Sequence, residues 1–307
     1  MQICLRFSET QPNLSKNSNN LTKTLHYSPK FTTFVPIMIL DQLKLSCNPP
    51  DIRVVQTQRG TMNPCNAYSQ WNLCDYTGDD ALRVLNARLT FCQQMGIDLD
   101  QLVMPRQSHT THVAVIDQDF LDADIDQQER SLNDIDALVT ALPDICIGVN
   151  TADCVPIALA DPTHGIIAIA HAGWRGTVGH IAQRTVETMC RLGAAPADIC
   201  ATMGASICTD CFEVGDEVPQ AFAQAGFDMD DIMHRNATTG KAHIDLWRAN
   251  RQVLLAAGIP ADHITLPTAC SRCNSDRYFS ARRLGIHSGR TFTAIIRQNR
   301  QSSNVIS

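Results

Sequence analysis

Short apolar runs of strand length, alternating with longer runs of helical period, predict a mixed α/β protein. Three observations carry this expectation. Val155–Ala160 and Ile166–Ala170 flank Asp161-Pro162-Thr163-His164-Gly165, whose Pro and Gly form turns, so the stretch reads as a hairpin. Amphipathic runs follow Asp79-Asp80, Trp174 and His243. A chain of 307 residues, 44% hydrophobic and 18% charged, has core enough for one large domain or two tightly joined ones.

Residues 1–37 are polar and rich in Asn, Ser and Thr. They are expected to be a disordered or spurious extension, with Met38 a candidate start and the folded domain at 38–307. Ile52–Arg59 alternates like a strand that Gly60 ends. Asp79 or Asp80 can cap a helix carrying Leu82, Leu85 and Leu89 on one face, with Asn86 and Arg88 alongside. Gln107-Ser108-His109 then precedes a strand-like run, Val113–Ile116. Asp117–Asp136 is acidic but lacks the Gly and terminal Glu of an EF-hand loop, so it is expected to be a solvated loop. Ala137–Thr140 and Ile145–Asn150 are expected strands that lead into the hairpin. Beyond it, the run to Leu192 reads as a helix and Asp198–Gly204 as a strand. His243–Ile259 reads as a core-covering helix ended by Gly258, with Trp247 packing inside. A final strand closes the block that holds Arg282-Arg283, a pair suited either to solvent or to a ligand.

The formal charge of −6 offers no basic field for nucleic acid, so any phosphate must be caught by local groups. No apolar run reaches the roughly 18 residues of a membrane span. The 13 Cys, an odd number in a chain without a secretory hydrophobic segment, are expected to be reduced cytoplasmic thiols.

Chemistry concentrates on the hairpin. Cys154 enters its first strand and His171 leaves its second, so antiparallel pairing brings both to one end. Gly173-Trp174-Arg175-Gly176 follows, where a helix start would offer N–H groups to an anion. A catalytic zinc needs a third ligand, and the Gln107-Ser108-His109 segment offers one.

The blocks QSH (107–109), NTADCVPI (150–157), HAGWRG (171–176), CFEVGDEV (211–218) and YFSARRLGIHSGR (278–290) resemble the signatures of the laccase-domain family. Its members have been called multicopper polyphenol oxidases and are now read as zinc-dependent purine nucleoside phosphorylases. The similarity runs from about Ile52 to Ile296. It implies one α/β domain of mixed sheets layered between helices, with His109, Cys154 and His171 as metal ligands. Arg88 matches the position of a family Arg that reaches the metal pocket, which implies a bidentate phosphate clamp. Arg88 and Cys154 are thus the expected catalytic residues, with Gln107 and Arg175 beside Arg88 in substrate binding. Two departures stand out: Ala281 where an aromatic is usual, and TQRGTM (57–62), which follows the family pattern loosely.

His112 rivals His109, but in a strand positions three apart face opposite ways. His26, His164, His180, His234, His243, His263 and His287 have no companion at ligand spacing and read as surface or capping residues. Cys208/Cys211 and Cys270/Cys273 form two CxxC pairs. Their separation far exceeds the ~15–20 residues of a zinc ribbon, so they are expected to be ordinary small buried side chains.

Zn2+ is therefore the expected cofactor, with copper the alternative. The expected activity is phosphorolysis of adenosine, inosine or methylthioadenosine to free base and ribose 1-phosphate, with adenosine deamination as an accompanying reaction. The expected partners are purine nucleosides and phosphate, with no nucleic acid and no membrane. A Cys-His hydrolase acting on a peptidoglycan precursor, with Cys154 as nucleophile and His171 as base, is the second reading. A copper polyphenol oxidase is the third, and it needs a His-rich trinuclear centre that 10 His without one His-X-His pair do not provide.

Overall fold

The structure, a computed structural model, describes residues 37–61 and 66–299. The extension expected before Met38 falls outside these residues except for Ile37, as does His26. In chain order the strands are β1 Leu40–Leu43, β2 Ile52–Thr57, β3 Leu102–Val103, β4 Val113–Val115, β5 Ala137–Thr140, β6 Cys146–Thr151 and β7 Val155–Asp161. They continue with β8 Ile166–Ala172, β9 Cys200–Met203, β10 Glu213–Val214, β11 Met233–Arg235, β12 Ala242–Ile244, β13 Ile264–Thr265 and β14 Thr291–Arg297. The helices are α1 Ala81–Met95, α2 Gln118–Asp122, α3 Ile125–Ser131, α4 Trp174–Val178, α5 Ile181–Arg191, α6 Glu217–Gln224, α7 Met229–Ile232, α8 Leu246–Ala256 and α9 Ala281–Leu284.

A six-stranded mixed sheet runs β13-β9-β7-β8-β5-β4, a five-stranded one β1-β2-β14-β6-β3, and a small third sheet β10-β12-β11. Strand alternation makes the layers. Ile167 and Ile169 of β8 meet Val54, Ile147 and Ile295 of the five-stranded sheet, while Ile166, Ala168 and Ala170 face α5 and α8. On the outer face of the five-stranded sheet, Val55, Phe292 and Ala294 pack against α1. Helix, sheet, sheet and helices thus stack in four layers, matching the architecture expected from the resemblance.

Asp80 caps α1 by accepting from the Arg83 N–H, as its position before the helical run predicts. The buried face, however, is Val84, Ala87, Phe91, Cys92 and Met95, with Phe91 edge-on to Phe292 at 5.2 Å. Leu82, Leu85 and Leu89 are exposed, at 70%, 42% and 46%. The helix has two apolar stripes, and the sheet takes the one whose Phe91 ring meets Phe292.

Three other expectations change. The run after Trp174 is not one helix: it breaks at Gly179 and His180, whose φ is 60°, and restarts as α5. His243 and Ile244 belong to β12, and helix α8 begins only after its cap, Asp245, which accepts from the Arg248 N–H. Cys47 and Cys200 are joined as a disulfide, with Cα atoms 6.1 Å apart, so not every thiol is free. Among the described residues no helix is long and apolar enough to cross a membrane.

Candidate metal centre

Cys154 stands one residue before β7, and His171 lies opposite Pro156 in the β7–β8 register. The hairpin returns both side chains to one end, as its turn sequence predicts. The β5–β8 pairing extends one residue further, because the His171 N–H donates to the Asp136 carbonyl at 2.7 Å. The same two residues meet through side chains: His171 Nδ1 lies 2.7 Å from Asp136 Oδ1.

His109 arrives from the loop before β4, with a left-handed φ of 65°. That loop is wrapped around Asp136, whose carboxylate accepts from the backbone N–H of Ser108, His109 and Thr110 at 3.3, 3.2 and 2.7 Å. His109 Nε2 lies 3.8 Å from Cys154 Sγ, and the two imidazoles meet edge-on at 4.8 Å. One donor atom from each of His109, Cys154 and His171 therefore lies within 4.8 Å of the others.

Gly173 makes this closeness achievable. A Cβ there would stand 2.9 Å from both Cys154 Sγ and His109 Cδ2, so any side chain would push into the ligand atoms.

The charges are mutually dependent. Burial pushes the Cys154 thiol up, but the adjacent His171 charge and hydrogen bonds from both imidazoles outweigh it and bring the thiol down to about 6. Burial lowers His171, and the Cys154 thiolate and Asp136 carboxylate together lift it to about 9. Asp136, pushed up by burial, is held at about 2 by its bond to His171, the His171 charge and the Thr110 donors. A pre-formed thiolate between two imidazoles, one braced through Nδ1 by a carboxylate, fits a metal ion with three protein ligands and an open position.

Asp136 is the functional residue that the sequence reading missed. It is fully buried and belongs to the centre, not to a solvated loop. The preceding acidic tract instead forms α2 and α3, capped by Asp117 and Asp124. Gln107, expected to bind substrate, commits its amide to the backbone of Asn150, donating to the carbonyl and accepting from the N–H, both at 2.8 Å. Its place is in positioning the loop that carries His109. Arg175 is exposed and stacks over Trp174 at 4.3 Å, on a helix of one turn.

Arg88 projects from α1, donates through Nε to the Leu73 carbonyl at 2.9 Å and pairs with Asp75 at 3.0 Å. With Asp75, Tyr76, Arg106 and Asn150 it lines a cavity of about 840 Å³. Tyr76 Oη donates to Gln107 Oε1 at 3.3 Å, so one cavity wall is bonded to the segment that ends in His109. Asp153 is an anchor: it accepts from Ser271 Oγ and the Arg282 N–H, each at 2.7 Å. His112 Nδ1 turns to the Asp134 carbonyl, and it is His109 that gathers with Cys154 and His171.

Two expectations about lone residues are overturned. His164 does have companions, in a cluster with Asp161 and Asp198. The four cysteines of the two CxxC pairs converge within 4.8 Å. Spacing along the chain had suggested otherwise, but β9 pairs with β13 and the segments that follow them meet at Ser206 and Cys270, which cancels the separation.

The sequence profile described as multi-copper polyphenol oxidoreductase laccase matches residues 53–298. The chain belongs to this family. Within the laccase-like family it is 60% identical over 259 residues to adenosine deaminase RL5 from an unknown prokaryotic organism, covering 84% of this chain and 99% of that one. It is 42% identical to a purine nucleoside phosphorylase of Bacteroides thetaiotaomicron, covering 79% of this chain and 90% of the relative. The fold agrees with crystal structures of YlmD from Geobacillus stearothermophilus (TM-score 0.74, 29% identity, 82% and 93% covered) and of Bacillus licheniformis YfiH (TM-score 0.74, 26% identity, 84% and 98% covered).

Proposed function

We propose that this chain is a zinc-dependent purine nucleoside phosphorylase that also deaminates adenosine. The observation that carries the reading is the His109, Cys154 and His171 set, its donor atoms within 4.8 Å and His171 braced by Asp136. The names of the two relatives above, adenosine deaminase and purine nucleoside phosphorylase, support the substrate class.

In phosphorolysis a nucleoside passes through a sugar with oxocarbenium character, so phosphate must be held below C1′ while the base departs. A zinc ion held by His109, Cys154 and His171 would supply Lewis-acid polarisation of a substrate oxygen. Asp136 fixes the ring of His171 by holding Nδ1, so the opposite nitrogen faces Cys154. Arg88 is the cation proposed to grip phosphate, and Gln107 holds its loop against Asn150. Arg106 over Tyr76, at 5.7 Å, gives the cavity a flat wall against which a purine can stack. The cavity of about 840 Å³ is lined by Arg88, Tyr76 and Arg106 but by none of His109, Cys154 and His171, and the Tyr76–Gln107 bond joins its wall to the segment that carries His109.

One observation favours a second reading. Asp136, His171 and Cys154 follow the order of a hydrolase triad, orienter, base and nucleophile. Such a triad gives no role to His109, which stands 3.8 Å from the thiol. A single assay separates the readings: release of hypoxanthine from inosine should require inorganic phosphate, yield ribose 1-phosphate and track bound zinc. Phosphate-independent release of free ribose by metal-free protein would overturn the phosphorylase.

A further inference from the structure

We infer a second metal site in this chain, a structural zinc bound by Cys208, Cys211, Cys270 and Cys273. Four thiolates are a closed zinc set, with no position left for water or substrate, so this site would hold structure and not carry out chemistry.

The geometry suits a tetrahedral metal ion. The four sulfurs lie within 4.8 Å of one another, and Cys211 Sγ and Cys273 Sγ are 3.4 Å apart. Sulfurs placed tetrahedrally about zinc at ~2.3 Å sit roughly 3.8 Å from one another, so little movement is needed to close the shell. Each pair is wound on one tight turn: Cys211 N–H donates to the Cys208 carbonyl at 3.1 Å, and Asn274 N–H to the Cys270 carbonyl at 2.9 Å. Both sulfurs of a pair are thereby turned to one side.

The surroundings are arranged for thiolates. Cys270 Sγ accepts from the backbone N–H of Cys208 at 3.3 Å and of Cys273 at 3.5 Å. The Arg272 guanidinium reaches Cys211 Sγ at 3.4 Å, and its charge offsets part of the excess negative charge of a tetrathiolate around a dication. Cys211 and Cys270 are buried while Cys273 is exposed, which leaves a path for the metal to enter.

The cage joins two segments that no long strand pairing holds together. Ser206 and Cys270 form a single parallel bridge, and the Ser271 N–H donates to the Ser206 carbonyl at 3.0 Å. Both segments also bond to residue 153: Ile207 N–H to its carbonyl at 2.9 Å, and Ser271 Oγ to its carboxylate at 2.7 Å. A metal at the four thiols would therefore brace the turn that presents Cys154.

The test counts metal in protein purified under reducing conditions, and it does not depend on the catalytic reading. Full-length protein should bind two zinc ions in native mass spectrometry. Cys154→Ala should keep one, with an X-ray absorption edge fitted by four sulfurs at ~2.3 Å. Cys211→Ser/Cys273→Ser should lose that ion and unfold at a lower temperature. In the unmutated protein, the four thiols should resist iodoacetamide until a chelator is added. This last readout holds even if the double variant fails to fold. Two disulfides among these four cysteines, iron in place of zinc, or rapid alkylation of all four with no metal bound would each overturn the assignment.

Discussion

Asp136 holds two of the proposed metal ligands at once: its Oδ1 lies 2.7 Å from His171 Nδ1 and also accepts the His109 N–H at 3.2 Å. Asp136→Asn can keep the size but loses the charge and turns one oxygen into a donor. Zinc affinity at the His109, Cys154 and His171 site should fall roughly 10–100-fold, as typical for such supporting carboxylates. Chelator competition reads this directly, and excess zinc should restore part of the phosphorolysis.

Cys154→Ala removes the thiolate and should abolish metal binding at this centre, since a methyl group cannot ligate. Zinc retained there at unchanged stoichiometry would show that the two histidines suffice.

Gly173→Ala tests the close approach. The added methyl would sit 2.9 Å from Cys154 Sγ and His109 Cδ2, so the ligands must separate. Overpacking of this kind costs about 1–3 kcal/mol. The expected outcome is a folded protein, by circular dichroism, that binds zinc weakly and loses activity.

Arg88→Ala should slow phosphorolysis by about one to two orders of magnitude and raise the phosphate requirement, because a charge-assisted bond is worth ~1.5–3 kcal/mol. Zinc content should stay, and adenosine deamination, which consumes no phosphate, should fall much less. Lys should rescue only in part, since an ammonium keeps the charge but loses the planar fork. Equal loss of both activities would assign Arg88 to the nucleoside or to the fold, where it already holds the Leu73 carbonyl.

Acid sensitivity should trace partly to Asp161. Burial pushes its carboxyl up, but bonds from the Ala195 N–H, the His164 N–H and the His164 ring prevail and hold it below the ordinary range. A carboxylate depressed in the folded state stabilises the protein above the unfolded value of ~3.9, and that contribution disappears as pH falls through the folded value. Asp161→Asn should therefore be less stable at neutral pH, and its urea midpoint should fall less steeply below pH ~4 than that of the parent.

Strands β2, β4 to β9 and β14, the capped α1 and the Cys154–His171 end of the hairpin were legible because they depend on local periodicity and one turn, whereas the short strands β1, β3 and β10 to β13 carry too few residues to show a period. Asp136 was not legible, since its importance arises from a β5–β8 pairing that spans 35 residues of chain. The cysteine quartet was misjudged for the same reason: sequence spacing says little once 62 residues loop back on themselves. Leu82, Leu85 and Leu89 satisfied the helical period as well as the buried stripe did, and only packing against Phe292 separates the two faces.

The β7–β8 hairpin also sets a time order for assembly. Its pairing is local and closes on a scale of roughly microseconds, bringing Cys154 and His171 together before more distant contacts form. His109 lies 45 residues from Cys154, and its loop is gathered by Asp136 at the end of the β5–β8 pairing, so it is expected to join later. The expected consequence is a two-donor stage before the third donor arrives, so zinc supplied during refolding should speed the final step.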